Sequence, residues 1–105
     1  GDISDWNVSN VTTMIGMFSE SIFNGDISDW DVSSVRDMYA AFKNSTFNGD
    51  ISRWDIRNVR DMSWMFFESK FDGDLSKWDV RNLETMRGMF NNCPLEKHPP
   101  KWYNF

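Results

Sequence analysis

The 24-residue pattern that organises this chain is clearest in residues 25–48, which read GDISDWDVSSVRDMYAAFKNSTFN. Five tryptophans recur at one phase of this pattern, each 24 residues after the last, at Trp6, Trp30, Trp54, Trp78 and Trp102. Four glycines keep the same step, at Gly1, Gly25, Gly49 and Gly73. A fixed period of this length is typical of stacked units that share one core. We therefore expect one array of four repeats over residues 1–96, divided as 1–24, 25–48, 49–72 and 73–96.

The spacing of apolar residues changes inside each repeat. Trp30 and Val32 alternate with polar residues, which is typical of a very short strand. Val35, Met38 and Phe42 then follow at steps of three and four, which is typical of one face of a helix. The expected core positions of this repeat are Ile27, Trp30, Val32, Val35, Met38, Ala41, Phe42 and Phe47. The pattern predicts an α/β solenoid in which every 24-residue coil supplies one short parallel strand and one short helix.

Local sequence signals agree with this division. Ser34 precedes the helical pattern and is a good N-cap residue, as are Asn10, Asn58 and Asn82 at the same phase. Asp37 follows Ser34 three residues later. The Asn24-Gly25 pair, repeated as Asn48-Gly49, is suited to positive φ. Stacking of the coils would place Phe42 between Phe18 and Phe66, and Trp30 between Trp6 and Trp54. Pro99 and Pro100 oppose further strand addition, so residues 97–105 are predicted to form a C-terminal cap.

Composition excludes several classes of protein. The 105 residues include 16 acidic and 11 basic ones, for a net charge of −5, which is unfavourable for binding nucleic acid or anionic membranes. No apolar run is long enough to span a bilayer, so no membrane insertion is expected. Gly1 begins in mid-register, which suggests a fragment with an open N-terminal end. One cysteine, Cys93, and one histidine, His98, offer little material for zinc or triad chemistry, so we expect no enzyme, no cofactor and no metal site.

The repeat also resembles a known family. The run Phe-Asn-Gly-Asp-Ile-Ser-x-Trp-Asp-Val-Ser-x-Val-x-Asp-Met-x-x-x-Phe is similar to the short tryptophan-rich repeat of BspA-like leucine-rich-repeat surface proteins, including bacterial surface lipoproteins. The resemblance covers residues 1–93. It implies a leucine-rich-repeat-like solenoid on the cell surface or in secreted form, with adhesion or protein binding as its role. The ligand does not follow from the resemblance.

An aromatic cluster is the first candidate for a partner-binding surface. Trp64 and Phe67 lie on the side of the predicted helix away from Met62 and Met65, and Tyr39 flanks them one repeat earlier. Exposed large aromatic residues are typical of binding hot spots. The alternative is packing, with Trp64 lying flat over small residues of the neighbouring repeats.

A row of charges on the strand side is the second candidate. It passes from acidic to basic along the array, at Asp5, Asp29, Arg53 and Lys77, with Arg57 and Arg81 a few residues away. Repeat arrays commonly bind partners through such a face. A solvated rim of mixed charge is the alternative.

Two acidic series form the third candidate. The first consists of Asp2, Asp26, Asp50 and Asp74, and the second of Asn7, Asp31, Asp55 and Asp79. Columns of carboxylates attract Ca²⁺. The alternative is that each aspartate accepts a hydrogen bond from a turn amide, and this alternative is favoured because the spacing of calcium-binding β-rolls is absent.

The sequence as a whole predicts a non-catalytic protein-binding or adhesion module of a surface or secreted repeat protein. Its partner would be a protein, such as a host or cell-surface protein. Two alternatives stay open: a structural spacer that self-associates through the open N-terminal end, and calcium-assisted glycan binding.

Overall fold

Contacts between residues 23 or 24 positions apart organise the computed structural model of this chain, which describes residues 2–103. Hydrogen bonds join Met14 to Asp37 and Met38 to Asp61, and the Phe42 ring stacks on Phe18 and Phe66. Gly1, the first glycine of the series, lies outside the described residues. The last two residues of the predicted cap, Asn104 and Phe105, also lie outside them.

The predicted fold class, an α/β leucine-rich-repeat-like solenoid with a strand and a helix in each coil, is wrong. Residues 2–103 contain no α-helix and no β-sheet. The regular structure they contain is one 3₁₀-helix, Pro94–Lys97, and three isolated parallel bridges, Thr13↔Asp37, Asp37↔Asp61 and Asp61↔Thr85. The chain forms a compact body of 34 × 28 × 20 Å built almost entirely from turns.

The predicted helices are absent because alternate amides bind carbonyls in the next repeat. The N–H groups of Met38, Ala40, Phe42 and Asn44 donate to the carbonyls 23 residues later, at 2.7 to 2.9 Å. The N–H groups that alternate with these, from Ala41, Lys43 and Ser45, donate to the carbonyls three residues earlier. An α-helix needs every amide to donate four residues back. The segment is therefore a run of tight turns bonded sideways to its neighbour.

Left-handed residues shape these turns. Each repeat has two residues with φ between 55° and 63°, four positions apart: Gly16 and Glu20, Ala40 and Asn44, Trp64 and Glu68, Gly88 and Asn92. Turns 14–17 and 18–21 each place such a residue third, where a type II turn needs positive φ. Successive turns of this kind bring apolar side chains to one side at steps of three and four, which is why the sequence resembles a helix.

The predicted strand at Trp30-x-Val32 is also replaced by turns. The N–H of Trp30 donates to the Ile27 carbonyl, and the N–H of Val35 donates to the Val32 carbonyl. Each tryptophan thus ends one turn and each valine begins the next. Pairing between repeats near this point is limited to a single bridge, because only Arg36 and its neighbours lie in register with Thr12 and Met14.

The core predicted for the second repeat is confirmed. All eight expected positions are buried, and Val35, Met38, Ala41 and Phe42 are 0% exposed. Two stacks of phenylalanine rings run through the repeats. One contains Phe18, Phe42, Phe66 and Phe90, and the other contains Phe23, Phe47 and Phe71. Ring contacts such as Phe66 to Phe71, at 4.5 Å between centroids, join the two stacks.

The tryptophan series is held by side-chain hydrogen bonds. The indole N–H of Trp54 donates to the Ile27 carbonyl at 3.0 Å, and Trp30, Trp78 and Trp102 donate in the same way to carbonyls 27 residues earlier. Trp30, Trp54 and Trp78 are 3 to 5% exposed. Trp6 is 61% exposed, so the first indole lies outside the buried series.

Two local predictions need correction. Gly25, Gly49 and Gly73 do not have positive φ, and the space beside each is filled by the ring of the phenylalanine two residues earlier. The predicted cap residues do not cap helices either. The amide group of Asn58 donates to the Ser33 carbonyl at 2.7 Å, and that of Asn82 donates to the Arg57 carbonyl. These side chains join neighbouring repeats.

Candidate functional site

An open cleft of about 520 Å³ lies beside three residues at one phase of successive repeats, Tyr39, Ser63 and Arg87. Ser63 is buried, and its hydroxyl accepts the N–H of Arg87 at 3.3 Å. Because the small Ser63 lies between the large side chains of Tyr39 and Arg87, a gap is left beside Ser63 in the third repeat. The full lining consists of Tyr39, Asp61, Ser63, Trp64, Glu84, Thr85, Met86 and Arg87.

Trp64 forms the aromatic wall of this cleft in a strained backbone conformation. Its φ is +60°, at the phase where the other repeats carry Gly16, Ala40 and Gly88. The left-handed region costs a residue with a side chain about 1–2 kcal/mol. The indole covers Gly88 so closely that a Cβ on that glycine would overlap the ring. Trp64 therefore packs on Gly88, as the packing alternative predicted, and its side chain is still partly exposed.

The polar groups of the cleft are available to a ligand. Within residues 2–103, the Trp64 indole N–H has no acceptor, and the charges of Glu84 and Arg87 have no ion-pair partner. Tyr39 is 41% exposed. The carboxylate of Asp61 accepts the Ser63 N–H at 2.8 Å through one oxygen. An aromatic wall, two carboxylates and one guanidinium thus border the same open volume.

Phe67 lies beside the cleft and does not line it. Its ring meets the Trp64 indole edge to face, with centroids 5.4 Å apart and planes at 86°. The ammonium group of Lys43 lies 5.9 Å from the centre of the Phe67 ring. The structure therefore brings the predicted residues Tyr39 and Trp64 together in one cleft, and it gives Phe67 a supporting contact behind Trp64.

The predicted row of charges is mostly paired internally. Arg53 binds Asp29 across repeats at 3.2 Å. Arg57 binds Asp55 at 3.4 Å, and Arg81 binds Asp79. The hydrogen bond from Arg81 lowers the pKa of the Asp79 carboxyl and raises the pKa of the guanidinium. Lys77 has no ion-pair partner among the described residues, and none of this row lines the cleft.

Both acidic series form turns, as the favoured alternative predicted. Asp26 accepts the N–H of Ser28 at 2.9 Å, and Asp31 accepts that of Ser33 at 3.0 Å. The serine hydroxyl and then the serine amide lower the pKa of each of these carboxyls. The equivalent residues of the other repeats accept in the same way. Across residues 2–103, no group of three or more His, Cys, Asp or Glu side chains could hold a metal ion.

A second cleft lies near the C-terminal end of the described chain. It has a volume of about 530 Å³ and is bordered by Asp72, Leu75, His98 and Pro99, among others. His98 Nε2 lies 3.1 Å from a carboxylate oxygen of Asp72. Cys93 is buried nearby in sequence, and burial raises the pKa of its thiol. This cleft lacks an exposed aromatic wall.

One comparison with known proteins identifies a family. The sequence model of the family described as "Mycoplasma protein of unknown function, DUF285" matches residues 1–102. The chain belongs to this family. No curated protein and no solved structure matches it.

Membership in the DUF285 family is consistent with a repeat surface protein in general, and it fits the predicted BspA-like group only loosely. The family description names no activity, so the site must be judged from its geometry. Among the described residues, no helix is long and apolar enough to cross a membrane.

Sequence reasoning missed half of the cleft. Arg87 and Glu84 were not singled out, although Arg87 occupies the same phase as Tyr39 and Ser63. In the aligned repeats, the small Ser63 follows the large Tyr39 and precedes the large Arg87 at this phase, and this order of sizes indicates a gap. The missing information was the backbone path, because the side-chain directions of Trp64, Glu84 and Arg87 depend on the turns that replace the helix.

Proposed function

We propose that this chain is a non-catalytic protein-binding module of a surface or secreted repeat protein, and that its partner docks in the cleft bordered by Tyr39, Trp64 and Arg87. The observation that carries this proposal is the convergence of these three side chains. Tyrosine, tryptophan and arginine are the residues most enriched at binding hot spots. Here they border one open volume, with the Trp64 N–H unpaired among the described residues.

The charge of the chain is consistent with a protein partner and unfavourable for nucleic acid. Three of the basic side chains of the charged row are in ion pairs with aspartates of the chain. No continuous basic surface is left for a phosphate backbone along this row. The partner we propose is a host or cell-surface protein, and the role is adhesion.

The test uses a displayed library of random peptides selected on the intact protein. Peptides that bind are then measured against Tyr39→Ala and Trp64→Ala. We expect each replacement to weaken binding at least about ten-fold, because truncating a hot-spot residue costs about 2 kcal/mol or more. Ile15→Ala is the matched control, since Ile15 occupies the same phase as Tyr39, is 57% exposed and lies outside the cleft.

Folding of each variant is measured separately by denaturant unfolding. If selected peptides bind wild type, Tyr39→Ala and Trp64→Ala equally well, the cleft is not the docking site and the proposal is wrong. If only the Ile15→Ala variant loses binding, the contact surface lies in the first repeat.

Self-association is a second candidate, favoured by the exposed first repeat. Trp6 is 61% and Met17 is 42% exposed, whereas the equivalent residues of the inner repeats are buried. This face has the side chains that form the contact between inner repeats, so it continues an interface that the chain already uses. The occupant we propose for it is the same face of a second copy.

Sedimentation over a range of concentrations tests this candidate. We expect dimers of the wild-type protein and a monomeric Trp6→Ser/Met17→Ser variant, because the change removes the exposed apolar area. A wild-type protein that stays monomeric at the highest soluble concentration would contradict it.

A further inference from the structure

We infer that the cleft receives a basic side chain of the partner, a lysine or an arginine, between the Tyr39 and Trp64 rings. This inference rests on the proposed protein-binding function and adds the chemistry of the partner to it. The observations that carry it are the charges around the cleft, the aromatic rings that border it, and a cation already placed on the same aromatic cluster.

The charges of the lining are net negative. Asp61 and Glu84 contribute two carboxylates, and Arg87 contributes one guanidinium. The carboxylate of Glu84 has no ion-pair partner in residues 2–103, and Asp61 uses one oxygen for the Ser63 amide. The whole chain carries a net charge of −5, which attracts a basic partner over longer distances.

The aromatic side chains add a second attraction for cations. A lysine or arginine head group within about 6 Å of a tyrosine or tryptophan ring is attracted by the ring's π face. The neighbouring part of the cluster already shows this contact, since the Lys43 ammonium lies 5.9 Å from the centre of the Phe67 ring. Phe67 in turn packs edge to face against Trp64. The side chains of Trp64 and Tyr39 border the open volume.

Arg87 is the basic residue of the lining. Its guanidinium would repel a basic group placed close to it, so the partner's cation is expected nearer Glu84 and Asp61. Replacing Glu84 and Arg87 separately should therefore have opposite effects. These opposite effects distinguish a basic partner from an acidic one. An acidic partner would bind through Arg87 and the Trp64 N–H.

The probes are four blocked peptides, acetyl-Gly-Ser-X-Ser-Gly-amide, with X as arginine, lysine, norleucine or glutamate. Binding is followed by NMR through the indole N–H signal of Trp64, which is assigned from its absence in Trp64→Phe. We expect the arginine and lysine peptides to shift this signal at lower concentrations than the norleucine and glutamate peptides.

Three charge variants test the position of the cation. Glu84→Gln should weaken the arginine peptide up to about five-fold, which corresponds to the upper range for an exposed ion pair. Arg87→Gln should strengthen the same peptide. Glu20→Gln is the control, because Glu20 is an exposed acidic residue of the first repeat and lies outside the cleft.

The outcomes separate this inference from the proposed function. Tighter binding of the glutamate peptide, lost in Arg87→Gln, would overturn the basic-partner inference and leave the cleft as a protein-binding site. Equal binding of all four peptides, or no effect of Glu84→Gln on the arginine peptide, would also overturn it. Failure of the library test on Tyr39→Ala and Trp64→Ala would overturn the proposed function itself.

Discussion

Replacing Gly88 by alanine should destabilise the protein more than the same change at Gly16. The two glycines occupy the same phase of the repeat and have nearly the same backbone, with φ of +63° and +61°. What differs is the neighbouring space. A Cβ on Gly88 would overlap the Trp64 indole, whereas at Gly16 the nearest atom is the Ser19 Cβ at 3.9 Å.

The expected magnitudes follow from this difference. Alanine in the left-handed region costs about 1 kcal/mol at either site. Ala40, with φ of +55°, shows that the repeat accommodates a Cβ at this phase. At Gly88 the indole must also move, and losing about half of the burial of a large aromatic side chain costs about 1–2 kcal/mol more. We expect a loss of about 1 kcal/mol for Gly16→Ala and about 2–3 kcal/mol for Gly88→Ala.

Denaturant unfolding of the two variants, read by far-ultraviolet circular dichroism, measures these free energies. The steric part is isolated by repeating Gly88→Ala in a Trp64→Ala background, where its cost should fall to that of Gly16→Ala. Equal losses for the two glycines in the wild-type background would show that the indole is not packed on Gly88. An unchanged cost in the Trp64→Ala background would refute the same reasoning.

Three further predictions concern the repeat and its turns. Trp54→Phe should cost about 0.5–1.5 kcal/mol in denaturant unfolding, because the Ile27 carbonyl loses its indole donor and keeps only the Trp30 N–H, whereas Trp6→Phe at an exposed site should cost almost nothing. The Ser52 hydroxyl and amide lower the pKa of the Asp50 carboxyl below 3.8, so the stability that Asp50 contributes is present above that pH and is lost as the pH falls below about 4. In acid titrations followed by circular dichroism, Asp50→Asn should therefore reduce the loss of stability at low pH. Trp64→Gly should lower the free energy of unfolding by about 1–2 kcal/mol, since relief of about 1–2 kcal/mol of backbone strain offsets part of about 2–4 kcal/mol of lost indole packing, and a loss above about 3 kcal/mol in denaturant unfolding would show a structural role for the indole.

The core could be predicted from the sequence because burial depends on which side chains share a face. Met38, Ala41 and Phe42 recur in every aligned repeat as apolar or small residues, and stacking of equal phases buries them together. The stacked rings of Phe18, Phe42 and Phe66 follow from the same argument. No backbone conformation has to be known for this step.

The secondary structure could not be predicted because the decisive hydrogen bonds are not local. An apolar step of three and four fits a helix and also fits a run of turns with a left-handed residue every fourth position. The choice depends on whether the amides of Met38 and Ala40 find better acceptors inside the segment or in the next repeat. Here the carbonyls of Asp61 and Ser63 accept them at 2.9 Å, so the neighbouring repeat determines the local fold.

The candidate site was predicted in part for the same reason. Tyr39 and Trp64 were identifiable from their departure from the repeat, since the equivalent positions of Trp64 carry glycine or alanine. Their meeting with Arg87 and Glu84 depends on the turn geometry, which places residues 23 to 25 positions apart side by side. A departure from the repeat therefore indicates which residues to examine, and the backbone path indicates which of them act together.

Trp64 is a large residue at a phase where the other repeats carry glycine or alanine. The other repeats meet the backbone requirement of this phase with Gly16, Ala40 and Gly88, so a large side chain is not needed for the turn. The indole costs backbone strain, and its N–H lacks an acceptor within the described chain, whereas the indoles of Trp30, Trp54, Trp78 and Trp102 each have one. For a residue that the fold does not require, beside exposed Tyr39, we propose a role in binding a partner. The cleft is therefore where changes should alter binding with little effect on folding.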